Sequence, residues 1–237
     1  MKLALITGGS KGLGKALVEL YADLGWEVRE FSRSGAGSNH VDCDFSDASG
    51  CAAVLQLTFA ELATRSWSEV VLINNVGTLD PIGPVALTEP VLWRAHIQIN
   101  ISSCVTAAGL FLKTFTADAG DRSIVNISSG AAATPYYGWS LYCASKAALE
   151  TFTQCLALEQ VEQPNPVSVI AVRPGVIDTD MQSAIRSQDP QHFKDKAKFV
   201  RLKSELLLLS PDEAARKVHA VIVSSPTSGE IYDVRDL

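Results

Sequence analysis

The sequence predicts a single α/β domain built on a doubly wound, parallel sheet of about seven strands, with helices on both faces. Three observations predict it. Short apolar runs alternate with helix-period patterns along all 237 residues, as a chain of β-α-β units requires. Several of the strand-like runs are apolar almost throughout, as in strands covered on both faces. A glycine-rich turn separates the first strand from the first helix, where an open parallel sheet places a ligand.

The elements follow in order. The run LALIT (Leu3–Thr7) is a buried strand, and Leu13, Leu17, Leu20 and Leu24 then recur on one helical face. Trp26–Ser32 alternates as a second strand, and His40–Asp44 is a short third, followed by a helix over 48–64. Glu69–Asn75 is rich in β-branched residues and forms the next strand. A long helix is expected over 88–117, with Pro90 tolerated in its first turn. Ser123–Ser128 is a strand, 140–162 a helix, and Pro166–Pro174 another strand. Ser210–Glu213 (SPDE) is a capping box with proline at the first helical position, opening a helix to about 223. Gly229–Val234 is the last strand. The polar, charged segment Asp178–Leu209 is expected to lack regular structure and is long enough for a lid. No repeat or linker divides the chain, so 1–237 reads as one Rossmann-type domain.

Composition narrows the function. A net charge of −6 gives no basic face for duplex nucleic acid. The five cysteines are odd in number without a CxxC, and the four histidines are scattered. That pattern predicts neither a disulfide framework nor a metal site, and fits a reducing compartment. The leading MKLALITGG is too short in apolar residues for a signal-peptide core. No stretch approaches the about 20 apolar residues of a membrane helix. A soluble, cytoplasmic protein is the expectation.

In ITGGSKGLGKAL, Gly8, Gly12 and Gly14 make a G-x-x-x-G-x-G spacing. A turn from strand to helix needs residues without a Cβ where backbone approaches phosphate, and the helix N-terminus then faces the pyrophosphate. In dinucleotide folds an acid after the second strand binds the ribose 2′-hydroxyl. Here Ser32 and Arg33 stand in that place. Arg33, with Lys11 nearby in the glycine turn, would attract a 2′-phosphate, so NADP(H) is expected over NAD(H).

Three tyrosines, Tyr136, Tyr137 and Tyr142, precede a single lysine, Lys146. Only Tyr142 sits four residues before Lys146, which puts both on one helical face. A neighbouring ammonium is expected to lower the phenol's pKa and fit it for proton exchange with a carbonyl or alcohol oxygen. Ser128 and Ser129 end the preceding strand, where a hydroxyl can donate to the same oxygen.

At this point the chain resembles the short-chain dehydrogenase/reductase family over nearly its whole length. The residues that carry the resemblance are TGGSKGLG (Thr7–Gly14), DFSD (Asp44–Asp47), NNVG (Asn74–Gly77), IN (Ile99–Asn100), ISS (Ile127–Ser129), Tyr142 with Lys146, and RPGVIDT (Arg173–Thr179). The resemblance implies a catalytic tetrad of Asn100, Ser129, Tyr142 and Lys146, with Ser129 rather than Ser128 in the serine's place. It implies that Asn100 holds a water in the proton relay and that Lys146, beside Tyr142, also binds the nicotinamide ribose. Cofactor contacts would come from Gly8, Ser10, Lys11, Gly12, Leu13 and Gly14, from Arg33, and from Asp44 and Phe45 at the adenine. Asn74, Asn75 and Gly77 would form a cofactor wall, and Pro174, Gly175, Ile177 and Thr179 would add contacts. Val76 departs from the alanine usual there. Small residues in 88–117 and 140–162 permit close helix packing, and the resemblance implies a homodimer or homotetramer through those helices.

Within the family, Asn126–Leu149, Pro174–Gln182 and Ser228–Leu237 look most like the sepiapterin reductase and benzil (1,2-diketone) reductase subgroup. That implies an NADPH-dependent carbonyl reductase acting on a 1,2-dicarbonyl or a pterin side chain. Asp233 matches the acid that anchors the pterin. Ser129, Tyr142, Trp139, Met181 and Asp233 are the expected substrate contacts, with Tyr136, Tyr137 and Ile185 as further candidate walls. A dehydrogenase of another alcohol (steroid, sugar or acyl) and a non-catalytic NADP sensor are the alternatives, the latter having no use for Tyr142 beside Lys146.

Overall fold

Successive residues of β1 (Lys2–Thr7) enter opposite apolar layers: Leu3 and Leu5 face one, Ala4 and Ile6 the other. The period-2 alternation of a strand explains the split, and burial on both sides explains why the run is apolar throughout. The same holds for Val70 and Leu72 against Val71 and Ile73 in β4 (Glu69–Asn74). The computed structural model describes residues 1–116 and 120–236. Among these, β2 (Glu27–Ser32), β3 (His40–Asp42), β5 (Asp121–Ile127), β6 (Ser168–Arg173) and β7 (Ile231–Asp233) complete one parallel sheet. Its order is β3-β2-β1-β4-β5-β6-β7. The order reverses between β1 and β4, and the crevice at their carboxyl ends is where such sheets bind ligands.

Helix α1 (Gly12–Asp23) and α8 (Pro211–Val223) cover one face. Helices α2 (Ala48–Leu62), α4 (Ser103–Phe115) and α5 (Ser140–Val161) cover the other. The capping box of α8 is present in full: Glu213 N donates to Ser210 Oγ, and Ser210 N to Glu213 Oε2.

Three expectations change. The helix expected over 88–117 is two helices, α3 (Pro90–Ile97) and α4, joined by a π-helical turn, Gln98–Ser102; its expected end, Ala117, lies outside the described residues. The run Pro90–Phe115 is also long and apolar enough to cross a membrane by composition, with mean hydropathy 1.3 in its most apolar window. In the fold it is a core element, holding Ala107, Ala108, Phe111 and Phe115 against α2 and the sheet. Finally, 178–209 is not irregular but carries α6 (Asp180–Ser187) and α7 (Lys196–Ser204). Its two ends are pinned together, Asp178 N donating to Leu209 O (2.9 Å) and Leu209 N to Val176 O (2.9 Å).

Candidate active site

The turn after β1 folds as the glycines demand. Gly8 has φ of +70°, a conformation that L side chains resist. Gly14 is needed for space: a Cβ there would lie 2.1 Å from Gly8 O. The turn is fastened to the end of β4, because Thr7 Oγ1 accepts from Asn75 N (3.0 Å) and Val76 N (3.1 Å). Asn75 Nδ2 donates to Thr7 O and Gly8 O, each at 3.0 Å.

The N-terminus of α1 has no side-chain cap and no acid in its first turn, whereas Asp47 caps α2 and Ser210 caps α8. Uncapped amides at the positive end of the helix dipole suit an anion. Lys11 and Arg33 are exposed beside them, and Ser34 Oγ donates to Ser10 Oγ (3.2 Å). Asp44 lies close to Arg33; its carboxyl is held below the usual range, first by the Ser46 amide and hydroxyl and then by that guanidinium. Thr179 faces the turn, its Cγ2 3.0 Å from where a Cβ on Gly12 would stand. Gly175 (φ +79°) and Ile177, bridged to Leu209, carry the chain from β6 to Thr179. Uncapped amides, two exposed cations and flanking hydroxyls fit a dinucleotide.

Some of the expected contacts are buried. Asn74 is turned into the core, where it donates to Asn126 Oδ1 (2.9 Å), so Asn75 and Gly77 border the crevice and Asn74 supports them from below. Leu13, Gly14, Phe45 and Pro174 are likewise packed inside.

At the carboxyl edge of β5 the expected tetrad converges. Ser129 stands beside the Tyr142 phenol, near enough for its hydroxyl to act on it. Lys146 Nζ donates to Ile127 O (2.7 Å) and lies 5.8 Å from the Tyr142 ring centroid. A Cβ on Gly77 would be 3.7 Å from that ammonium and 3.1 Å from Asn100 Oδ1, which brings Asn100 and Lys146 to one spot. Asn100 sits in the π turn, fully buried. Its Nδ2 donates to Thr78 O (2.8 Å) and His96 Nε2 (2.7 Å), and its Oδ1 accepts from Thr78 N (2.8 Å). Both amide hydrogens are therefore used, and Oδ1 keeps one lone pair for a water.

The electrostatics correct one expectation. Burial holds the Tyr142 phenol above its ordinary pKa, and the Ser129 hydroxyl only partly opposes it. Burial also lowers Lys146. Lys146 is itself buried and bonded to Ile127 O, and burial, rather than the ammonium, sets the direction of the phenol's shift.

Beyond Tyr142 lies an aromatic wall. Trp139 stacks on Phe193 with centroids 4.5 Å apart and meets Tyr142 edge-on at 5.5 Å. Ile185 and Phe199 of α6 and α7 join the same cluster, so the 178–209 excursion packs over the site. Lys198 Nζ donates to the Tyr136 hydroxyl (2.8 Å), and Tyr137 is exposed under Lys194. Met181 stands exposed in the first turn of α6. The carboxylate of Asp233 is occupied by Arg235, whose Nε donates to Oδ1 (2.8 Å) and whose Nη2 donates to Oδ2.

Two supporting groups escaped the sequence reading. Glu150, one turn beyond Lys146 on α5, accepts from Ser128 Oγ and from Arg173 Nε and Nη2, each at 2.7 Å. His96 fixes Asn100 while Nδ1 donates to Asp80 O (2.8 Å). The i+4 spacing from Lys146 was the available signal for Glu150, and the i−4 spacing from Asn100 for His96.

Comparison with known proteins identifies the family and the fold. A family model described as short chain dehydrogenase matches residues 2–190. A benzil reductase ((S)-benzoin forming) of Bacillus subtilis is 35% identical, the match covering 100% of this chain and 99% of that protein. Sepiapterin reductase of Meriones unguiculatus is 30% identical, covering 91% of this chain and 89% of that one. The crystal structure of a short-chain dehydrogenase/reductase from Saccharomyces cerevisiae superposes with a TM-score of 0.86 at 28% identity, covering 100% of this chain and 97% of that one.

Proposed function

From the premise that the chain belongs to the short-chain dehydrogenase family, as an oxidoreductase similar to benzil and sepiapterin reductases, we propose that it is an NADPH-dependent carbonyl reductase. Its substrate is a 1,2-dicarbonyl compound of the benzil type, of which one ketone is reduced. The observation that carries this reading is the half-buried Ser129 beside the buried Tyr142 phenol at the crevice edge, with Lys146 and Asn100 brought together at Gly77.

When bound, the cofactor supplies a hydride. The chain's residues do the rest. Ser129 and Tyr142 receive the ketone oxygen between two hydroxyls. As negative charge develops on that oxygen, Tyr142 gives up its proton and Ser129 stabilises the charge by donation. Burial keeps the phenol protonated at neutral pH, which is the form that reduction needs. An alkoxide is a much stronger base than a phenolate, so the transfer runs downhill even from a raised pKa. Lys146 offers N–H donors to the cofactor's ribose hydroxyls, and the aromatic wall of Trp139 and Phe193 excludes water.

Arg33 and Lys11 support NADPH over NADH, since both are exposed cations able to meet a 2′-phosphate. In Arg33→Ser the KM for NADPH should rise while that for NADH stays; an unchanged preference contradicts the assignment. Benzil, sepiapterin and a steroid panel, followed by loss of NADPH absorbance, test the substrate class. Benzil is expected to turn over fastest, and turnover confined to steroids contradicts it. The pterin reading is disfavoured because Asp233 is already paired with Arg235. The α6–α7 excursion acts as a lid hinged at its Ile177–Leu209 bridge. The protein assembles as a homodimer or homotetramer through the outer faces of α3, α4 and α5, where Val91, Leu92, Val105, Leu158 and Val161 are exposed; light scattering showing only monomer contradicts this. Its free thiols suit a cytoplasmic location.

A further inference from the structure

We infer that Arg235, rather than Asp233, reads the second carbonyl oxygen of the substrate, so that the site selects vicinal dicarbonyls over simple ketones and over pterins. The inference rests on the carbonyl-reductase reading and concerns the same site.

β7 ends at Asp233, and a single turn, Val234–Asp236, folds the chain back over the carboxyl edge of the sheet. The fold-back lets Arg235 grip Asp233 three times: its backbone N and its Nε donate to Oδ1 (3.0 and 2.8 Å), and its Nη2 donates to Oδ2. Arg173 lies near enough to add its charge, and together these hold the Asp233 carboxyl below its usual range. Asp233 is 9% exposed and Arg235 is 64% exposed. The carboxylate is consumed and the guanidinium is presented.

It stands against the residue that follows Ser129. A Cβ on Gly130 would lie 3.8 Å from Arg235 Nη2, and Gly130 directly follows Ser129. Tyr136, which packs on Trp139 at 5.1 Å, is close enough to act on the same guanidinium. Arg235 Nη1 has no hydrogen-bond partner among the described residues. Its planar N–H donors are thus fixed in orientation and free on the side away from Asp233.

The chemistry of the pair selects the ligand. Arg235 and Asp233 together are neutral, so an anionic substrate gains little net attraction. A neutral oxygen acceptor gains a charge-assisted hydrogen bond without a change in charge. A pterin's ring amines are donors, and they meet N–H groups where a free carboxylate would be required. The ligand that satisfies Ser129, Tyr142 and Arg235 together has a second carbonyl next to the one reduced.

The test compares kcat/KM for benzil with that for deoxybenzoin, which keeps both phenyl rings and one ketone but has a methylene in place of the second carbonyl. A site built around a hydrogen bond discriminates strongly against the analogue lacking it. In Arg235→Leu the benzil-to-deoxybenzoin ratio should fall about tenfold, and Arg235→Lys should restore part of it. Arg173 remains beside Asp233 in both variants, so neither strands a lone acid. A wild-type reductase whose preference for benzil survives Arg235→Leu, or a variant that loses both substrates equally, overturns the inference alone. A wild-type protein that reduces neither compound overturns the reductase reading and this inference with it.

Discussion

Replacing Glu150 with alanine should destabilise the fold through a broken ion-pair network. Its carboxylate accepts three hydrogen bonds at 2.7 Å, one from Ser128 and two from Arg173 in a bidentate pair. The side chains of Glu150 and Arg173 are 10% and 23% exposed, so the pair is largely withdrawn from water. Glu150→Ala leaves a guanidinium and a hydroxyl facing a void. Breaking a buried pair by removing one partner costs about 3 to 5 kcal/mol. Partial exposure of Arg173 places this case near the lower end, at about 3 kcal/mol. For a chain of this length that lowers Tm by about 6 to 12 °C. Glu150→Gln keeps the volume but turns an NH2 group toward donors, so it should lose nearly as much. Urea unfolding of both variants, followed by far-UV circular dichroism, gives the two values. A loss below about 1 kcal/mol in Glu150→Ala would mean that the network behaves as a solvated surface pair and refute the reasoning.

Two further outcomes follow from the same geometry. Gly14→Ala drives a Cβ to within 2.1 Å of Gly8 O, so the glycine turn must open; fluorescence titration should show NADPH affinity reduced about tenfold or more, and unchanged affinity contradicts the turn's role. His96 is buried and its pKa is held below the ordinary value, so the unfolded chain takes up a proton that the folded chain resists. Its contribution is complete above about pH 6.5 and is lost as pH falls below that. Denaturation midpoints should therefore drop toward pH 5, and His96→Gln should flatten the slope without abolishing it, because His219 is shifted in the same sense; an unaltered slope contradicts the assignment.

Much of this site could be read from the sequence because its signals are local. The glycine turn, Tyr142 with Lys146 and the strand ends are each set by one segment's spacing, and the sheet places them together. What was not legible is decided across segments. The π turn at Gln98–Ser102 arises where Asn100 bonds the backbone of Thr78, a partner from another loop. Residues 178–209 look polar, yet Ile185, Phe193 and Phe199 supply enough apolar surface to dock α6 and α7 on Trp139. Asp233 reads as a free acid until the fold-back brings Arg235 onto it. The phenol's acidity was misjudged for a related reason: helical spacing shows the lysine, while only the fold shows how deeply both groups are buried.

The central claim is that the Tyr142 phenol delivers the proton to the substrate oxygen. Tyr142→Phe keeps the ring, its edge contact with Trp139 and the surrounding packing, and removes one hydroxyl. With benzil and NADPH, turnover should fall by about 10³-fold, within the range for loss of a general acid, while fluorescence titration shows NADPH bound as tightly as before. A variant that retains turnover within about tenfold of the original protein would show that the proton comes from elsewhere.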